Sequence, residues 1–120
     1  MNNKIDKILA EISAGELFDK ITILEIKRAK ISNKEKINDI EKELSSLNET
    51  VEKCIPNQSN ISKYINDLKN INLKLWDIED GKRAAEKNND FGEKFIELAR
   101  NVYKFNDERA KIKLAINTSR

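Results

Sequence analysis

The sequence predicts an all-α protein, an antiparallel helical bundle with coiled-coil-like hairpins of three to four long helices. Helix breakers are scarce, because the 120 residues include one proline and three glycines. Apolar residues recur at steps of three and four, which is the spacing of helices and not of strands. The length predicts one domain, so we expect a single α-helical domain over residues 1–120.

Start signals divide the chain at Ser13, Ser32 and Asp90. Each is followed three residues later by a glutamate, the capping-box spacing in which two side chains satisfy free backbone N–H groups; at Ser32 the signal fits either a new helix or a bend. Pro56 begins the clearest loop. Residues before Ile12 fit a strand, a coil or a helical turn. The predicted helices are Gly15 to Ile31, Asn33 to Cys54, Asn60 to Asn88 and Phe91 to Asn117.

Three of these helices carry a regular apolar stripe. The spacing favours antiparallel helices that cross at about 20°. A third helix of about 29 residues is roughly 43 Å long, which is long for a compact chain of this size. Narrow stripes on long helices leave apolar edges, so we expect a homo-oligomer, with a dimer favoured and an elongated monomer as the alternative. A further protein partner is compatible with the same edges.

Composition excludes several kinds of chemistry. The chain has no histidine and one cysteine, so it offers no Ser-His-Asp or Cys-His catalysis, no internal disulfide and no thiolate zinc site. The formal charge of +2 comes from 23 basic and 21 acidic residues, and this balance makes a nucleic-acid partner unlikely. No apolar run is long enough for a membrane span, and the N-terminus lacks a signal-peptide pattern. We therefore expect a cytoplasmic protein with Cys54 as an ordinary thiol.

Charged residues interrupt two stripes. Arg109 occupies an apolar position in the fourth predicted helix, and Arg28 does the same in the first. A buried guanidinium needs an anionic partner. For Arg109 we expect a helix-end position where it reaches solvent, a carboxylate partner such as Glu79 or Asp80, or an anionic ligand held bidentately.

Polar residues on three helices form the candidate ligand site. In this hypothesis, Asp80 or Asp107 is a base or metal ligand, Arg100 and Arg109 hold an anion, and Tyr103 donates a hydrogen bond. Arg100, Tyr103 and Asp107 share a face that we expect to adjoin the apolar stripe. The candidates are Asp19, Lys20, Trp76, Glu79, Asp80, Arg100, Tyr103, Asn106, Asp107 and Arg109.

The hypothesis of a ligand site also allows a bound magnesium ion. Glu16 and Asp19 lie three residues apart, a spacing that allows Mg²⁺ binding together with a third carboxylate such as Glu79 or Asp80. No other cofactor is expected and no metal site is assigned. Whether the protein is an enzyme stays open.

Residues 12–27, 75–80 and 95–109 together resemble a family of small helical proteins of bacteria and their phages that has no assigned function. Their sequences are ISAGELFDKITILEIK, LWDIED and FIELARNVYKFNDER. The resemblance implies a cytoplasmic, single-domain helical protein, and it brings no catalytic residue with it. It also implies retained polar side chains at the candidate positions, which favours a common polar site.

Two functions follow as expectations. The first is a helical, self-assembling interaction or accessory module. The alternative is a carboxylate and arginine site between helices, which binds a phosphorylated or acidic small molecule or acts as a magnesium-dependent enzyme.

Overall fold

The computed structural model describes residues 8–119, in which four helices and no strand occur, so the all-α prediction is confirmed. Each helix begins and ends within two residues of its predicted bound. Residues 8–13 have no regular secondary structure, and the rest of the segment before Ile12 lies outside the described residues. The helices are α1 (Ala14–Lys30), α2 (Lys34–Cys54), α3 (Ser62–Lys87) and α4 (Glu93–Thr118).

Polar caps begin α1 and α2. The Ser13 hydroxyl accepts a hydrogen bond from the backbone N–H of Glu16 at 3.2 Å, as the capping-box spacing predicts. At α2 the prediction was one residue off, because Asn33 and not Ser32 is the N-cap. The Asn33 side-chain oxygen accepts from two backbone N–H groups of the first turn, at 3.0 and 3.2 Å.

The predicted start of α4 at Asp90 is wrong. Asp90 lies in the turn between α3 and α4, where its carboxylate accepts a hydrogen bond from the backbone N–H of Gly92 at 3.3 Å. Gly92 is the N-cap residue and provides no side-chain bond. Asn89 adopts a positive φ of 54°, which lets the chain reverse direction after α3. Asp90 thus stabilises the turn before the helix and not the first helical turn.

The helices form two hairpins that stack in two layers. α1 packs against each of the other three helices, α2 approaches α1 alone, and α3 pairs with α4. The molecule measures 48 × 46 × 23 Å, and its smallest dimension equals about two helix diameters. The α1/α2 hairpin therefore forms one layer and the α3/α4 hairpin the other.

α1 lies obliquely across the α3/α4 hairpin. The α1 start contacts the end of α4, where the backbone N–H of Gly15 donates to the Asn117 side chain at 2.6 Å. Further along α1 the contacts pass to α3, and Glu25 lies 3.8 Å from Lys69. This diagonal course brings the middle of α1 over the line where α3 and α4 meet.

The apolar core surrounds α1. Eight of the 17 residues of α1 are buried, whereas one of the 26 residues of α4 is buried. The expectation that Arg28 occupies a buried position is wrong. Arg28 is exposed in the last turn of α1, where its positive charge interacts favourably with the helix dipole. The main buried cluster comprises Leu17, Phe18, Ile21, Leu24, Ile40, Leu44, Val51, Ile61, Leu68 and Ile116.

The surface of the helices is mostly polar. Over residues 8–119, none of the helices combines the length and the apolar character that crossing a membrane requires. The thiol of Cys54 is free and exposed at the end of α2.

Candidate functional site

A buried carboxylate lies where α1 crosses the other hairpin. Asp19 follows the core residue Phe18 on the inner face of α1 and is 1% exposed. Arg109 of α4 binds it with two nitrogens: Nε donates to Oδ1 at 2.9 Å, and Nη2 donates to Oδ2. This bidentate geometry is the strongest form of arginine–carboxylate pairing. The ion pair therefore joins α1 to α4 at the centre of the molecule.

An amide and a hydroxyl complete the environment of Asp19. The side-chain amide of Asn72, on α3, donates to Asp19 Oδ1 and to Thr22 Oγ1, at 2.9 Å in both cases. The Thr22 hydroxyl in turn donates to the backbone carbonyl of Asp19 at 2.9 Å. Within the described residues, no buried side-chain nitrogen or oxygen lacks a hydrogen-bond partner. The three helices thus meet at a saturated polar network.

A lysine adds a second cation to the network. Lys113 lies one turn after Arg109 on α4, and its ammonium donates to Glu16 at 2.6 Å and lies 3.7 Å from Asp19 Oδ2. We call Asp19, Thr22, Asn72, Arg109 and Lys113 the Asp19 cluster. Arg109 and Lys113, in the C-terminal half of α4, thus face the carboxylates of Asp19 and Glu16 near the start of α1.

Charge and hydrogen bonding decide the protonation of Asp19. Burial by itself raises the pKa of the Asp19 carboxyl. The hydrogen bonds from Arg109 and Asn72 and the charges of Arg109 and Lys113 lower this pKa, and together they outweigh burial, so the pKa lies below its usual value. The hydrogen bond to Asp19 raises the pKa of Arg109 against the opposing effect of burial. Asp19 is therefore an anion at neutral pH, already neutralised by its own partners.

A shallow groove adjoins the Asp19 cluster on the α3 side. Its volume is about 290 Å³, and Trp76 forms part of its wall. Two of its charged residues bind close neighbours on α3: Arg83 contacts Asp80 at 2.6 Å, and Glu79 contacts Lys82 at 3.5 Å. We call this the Trp76 groove; its lining residues are Ile23, Ile26, Asn72, Leu75, Trp76, Glu79, Arg83 and Arg109.

The structure brings part of the predicted site together. Asp19 and Arg109 are in direct contact, and Trp76 and Glu79 line the adjoining groove. Asn106 lies at the edge, where its side-chain oxygen accepts from Arg109 at 3.5 Å. The prediction that Arg109 pairs with Glu79 or Asp80 is wrong, because its partner is Asp19.

The remaining candidates lie apart from this centre. Lys20 and Asp80 are exposed on α1 and α3. Arg100, Tyr103 and Asp107 share a face, as predicted, but it is the outer face of α4. Arg100 is nine residues from Arg109, about two and a half helical turns, so the two guanidiniums point to opposite sides. The expectation that this face adjoins the buried stripe is therefore wrong.

The carboxylates do not assemble as a magnesium site would require. Over residues 8–119, no three side chains of metal-ligating type come together. Glu16 binds Lys113, and Asp19 binds Arg109, so both carboxylates expected to hold Mg²⁺ are occupied by cations.

Sequence reasoning missed Asn72, Thr22 and Lys113. Asn72 and Thr22 are isolated polar residues beside apolar ones, a pattern equally typical of a helix surface. Lys113 had a weak signal, since it follows Arg109 by four residues and therefore shares its face.

The chain is a small four-helix protein in which a buried carboxylate joins two hairpins. The chain matches the model of a family of unknown function, DUF6165, over residues 8–120, and it belongs to that family. Neither a curated protein nor a solved structure matches the chain.

Proposed function

We propose that the protein is a helical interaction module that associates with itself, with a dimer as the favoured assembly. The observation that supports this proposal is a set of large exposed side chains on the face of α4 that points away from the core. Ile96, Tyr103 and Leu114 are 47%, 74% and 62% exposed, although a surface helix needs only one apolar face. The exposed charges of Arg100 and Asp107 lie between them, so this face mixes apolar and charged side chains, as non-obligate interfaces do.

The shape of the molecule agrees with this role. The radius of gyration is 16.9 Å, whereas a compact chain of this length has about 14 Å. A flat molecule has much surface for its volume, and α4 contributes one buried residue to the core. Covering the outer side of α4 would add apolar burial that the single chain does not achieve.

The Asp19 cluster also supports an interaction module over a catalyst. Both carboxylate oxygens of Asp19 bind Arg109, and Asn72 occupies the remaining position on one of them. Groups that bind one another in this way hold helices in place, and they leave Asp19 without a free position to act as a base. We therefore propose a structural role for this ion pair.

Sedimentation velocity over a range of protein concentrations tests the proposal. We expect a species of twice the 13.9 kDa chain mass that dissociates on dilution. A single species at the chain mass, at every concentration, would contradict self-association.

We also propose how the helices of this module pack, where in the cell it works and what kind of organism it comes from. The heptad-like spacing supports coiled-coil packing between helices. The free, exposed thiol of Cys54 fits a reducing compartment, so we propose a cytoplasmic protein. The three motif stretches support an origin in bacteria or their phages.

The Trp76 groove supports a second candidate function, the binding of a small ligand with a flat apolar part and an anionic group. Trp76, Ile23 and Leu75 offer apolar contact, and two guanidiniums, of Arg83 and Arg109, lie at the same groove. Its volume of about 290 Å³ is at the lower end of ordinary ligand pockets.

A thermal-shift screen with nucleotides, sugar phosphates and aromatic carboxylic acids tests this second candidate. A ligand that binds the native protein raises its melting temperature, and we expect Trp76→Ala to abolish that rise. Phe91→Ala is the matched control, because Phe91 is an exposed aromatic residue before α4 that does not line the groove, and it should leave the rise unchanged. No shift with any compound would contradict ligand binding.

A further inference from the structure

The outer face of α4 carries a second stripe with regular spacing. We call it the outer stripe; its members follow one another at alternating steps of four and three, as the core positions of a coiled coil do. All of them are exposed, and they lie on the side of α4 opposite Arg109. The outer stripe consists of Ile96, Arg100, Tyr103, Asp107, Ala110 and Leu114.

We propose that the outer stripe pairs with the outer stripe of a second copy of this chain, with the two α4 helices antiparallel about a two-fold axis. This inference rests on the proposed self-association and specifies its surface and its register. The partner lies on the free side of α4, because α1 and α3 pack against the other side. A two-fold interface uses the same patch on both chains, so the patch must complement itself.

The apolar residues of the outer stripe complement one another in the antiparallel register. Ile96 lies opposite the partner's Leu114, and the two-fold axis repeats this pair at the other end. Tyr103 lies opposite the partner's Asp107, whose carboxylate accepts a hydrogen bond from the phenol. Ala110 is small and lies opposite the partner's Arg100, which leaves room for the long side chain.

The charges of the outer stripe select the antiparallel orientation. In this register the partner's Asp107 lies three residues, about 4.5 Å along the helix axis, from the partner's Ala110, so its carboxylate is within reach of Arg100. Parallel pairing would instead place like charges against each other, which is costly in an interface. Among the residues that the structure describes, neither Arg100 nor Asp107 forms an ion pair within its own chain. Both charges are therefore free to bind a second copy.

Charge reversal with mixing tests whether the outer stripe is the interface and whether its orientation is antiparallel. In Arg100→Asp both stripe charges are negative, and in Asp107→Arg both are positive, so each variant repels itself. We expect the dimer dissociation constant of each variant alone to rise at least about tenfold. When the two variants are mixed, every contact is again between opposite charges, and we expect a heterodimer whose dissociation constant is within about threefold of the wild-type value.

Matched reversals at exposed residues outside the outer stripe serve as controls. Lys42→Asp on α2 and Asp77→Arg on α3 change the net charge equally and should leave the dissociation constant unchanged. Circular dichroism and melting temperature, measured on every variant, show whether the helices remain folded. Sedimentation velocity, with one variant carrying a fluorescent label, measures both homodimers and the heterodimer.

The outcomes separate this inference from the proposed function. If the wild-type chain dimerises and both single reversals dimerise equally well, the outer stripe is not the interface, although self-association stands. If folded single variants are monomeric and their mixture is monomeric too, the antiparallel charge pairing is wrong. A monomeric wild-type chain would overturn both proposals.

Discussion

α1 and α4 use the same kinds of residue in opposite ways. α1 is the shorter helix, yet nearly half of its residues are buried, and its one buried carboxylate has a full set of partners. α4 is half as long again, has one buried residue, and carries on its outer face large apolar side chains and charges that form no ion pair with the described residues. A helix in the middle of the fold satisfies its polar groups within the chain, whereas a peripheral helix leaves them available to another molecule.

Buried residues concentrate where the hairpins cross, so we expect that region to determine stability, whereas the outer side of α4 is the surface that we propose for self-association. Leu68 lies in the N-terminal half of α3, where it is fully buried in the core cluster with residues of α1. Leu98 lies near the start of α4, away from α1, and it is only half-buried although it packs on Gly81 of α3. Substitutions of the same chemical type in the two regions should therefore differ in effect.

The largest difference is expected for leucine truncation. Leu68→Ala leaves a cavity in the closed part of the core and should lower the free energy of unfolding by about 4 kcal/mol. Leu98→Ala removes the same atoms from a half-exposed site, and we expect a loss of about 1 kcal/mol. Urea denaturation monitored by circular dichroism measures both values. Equal losses would contradict the assignment of stability to the crossing region.

Removal of the buried carboxylate should be nearly as damaging. Asp19→Ala leaves Arg109 and Lys113 without their shared anion, and we expect the free energy of unfolding to fall by about 3 kcal/mol. Asp77→Ala, at an exposed position of α3, should change it by less than about 0.5 kcal/mol. A double-mutant cycle with Arg109→Ala measures the coupling, which should be large because the two side chains are in contact. Additive effects would contradict a structural ion pair.

Two glycines in helices should respond to alanine in opposite directions. A Cβ added at Gly15 would lie 2.5 Å from the backbone oxygen of Lys113, so Gly15→Ala must push α1 away from α4 and should cost about 2 kcal/mol. A Cβ at Gly81 would lie 3.2 Å from the end of the Leu98 side chain, which is free to shift towards solvent.

For Gly81→Ala we therefore expect the helix preference for alanine to prevail, with a gain of about 0.5 kcal/mol. The two melting temperatures, measured side by side, check the signs. A stabilising Gly15→Ala would show that the two helices do not approach as closely as described.

The smallest effect concerns pH. The pKa of Asp19 is lower in the folded protein than its ordinary value of 3.8. Its ionised form therefore stabilises the fold fully above that ordinary value, and this contribution is lost as the pH falls through the lower, folded-state pKa. We expect Asp19→Asn to weaken the dependence of the free energy of unfolding on pH below about 4.

Asp77→Asn is the control for this pH series, since Asp77 is exposed and lies outside the Asp19 cluster. Chemical denaturation at several acidic pH values gives the slope for each protein. An unchanged slope in Asp19→Asn would mean that Asp19 does not stabilise the fold by its charge.

Part of the candidate site was predictable. Arg109 attracted notice because it interrupts an apolar stripe, and a buried guanidinium requires an anion. Its partner was not predictable, because Asp19 is 90 residues away and the pairing depends on where α1 crosses α4. Asn72 and Thr22 could not be recognised either, since an isolated polar residue reads the same whether it faces solvent or a buried carboxylate.

The sequence by itself determined the four helices, their approximate ends and the apolar face of each, because these depend on local spacing, capping and the scarcity of helix breakers. The tertiary structure alone decided that α1 lies across the α3/α4 hairpin and that Asp19 binds Arg109. The physical reason is that heptad spacing specifies which side of a helix is buried, but not which helix covers it or at what angle. Those choices depend on close contacts between residues far apart in the chain, such as the approach of Gly15 to Lys113.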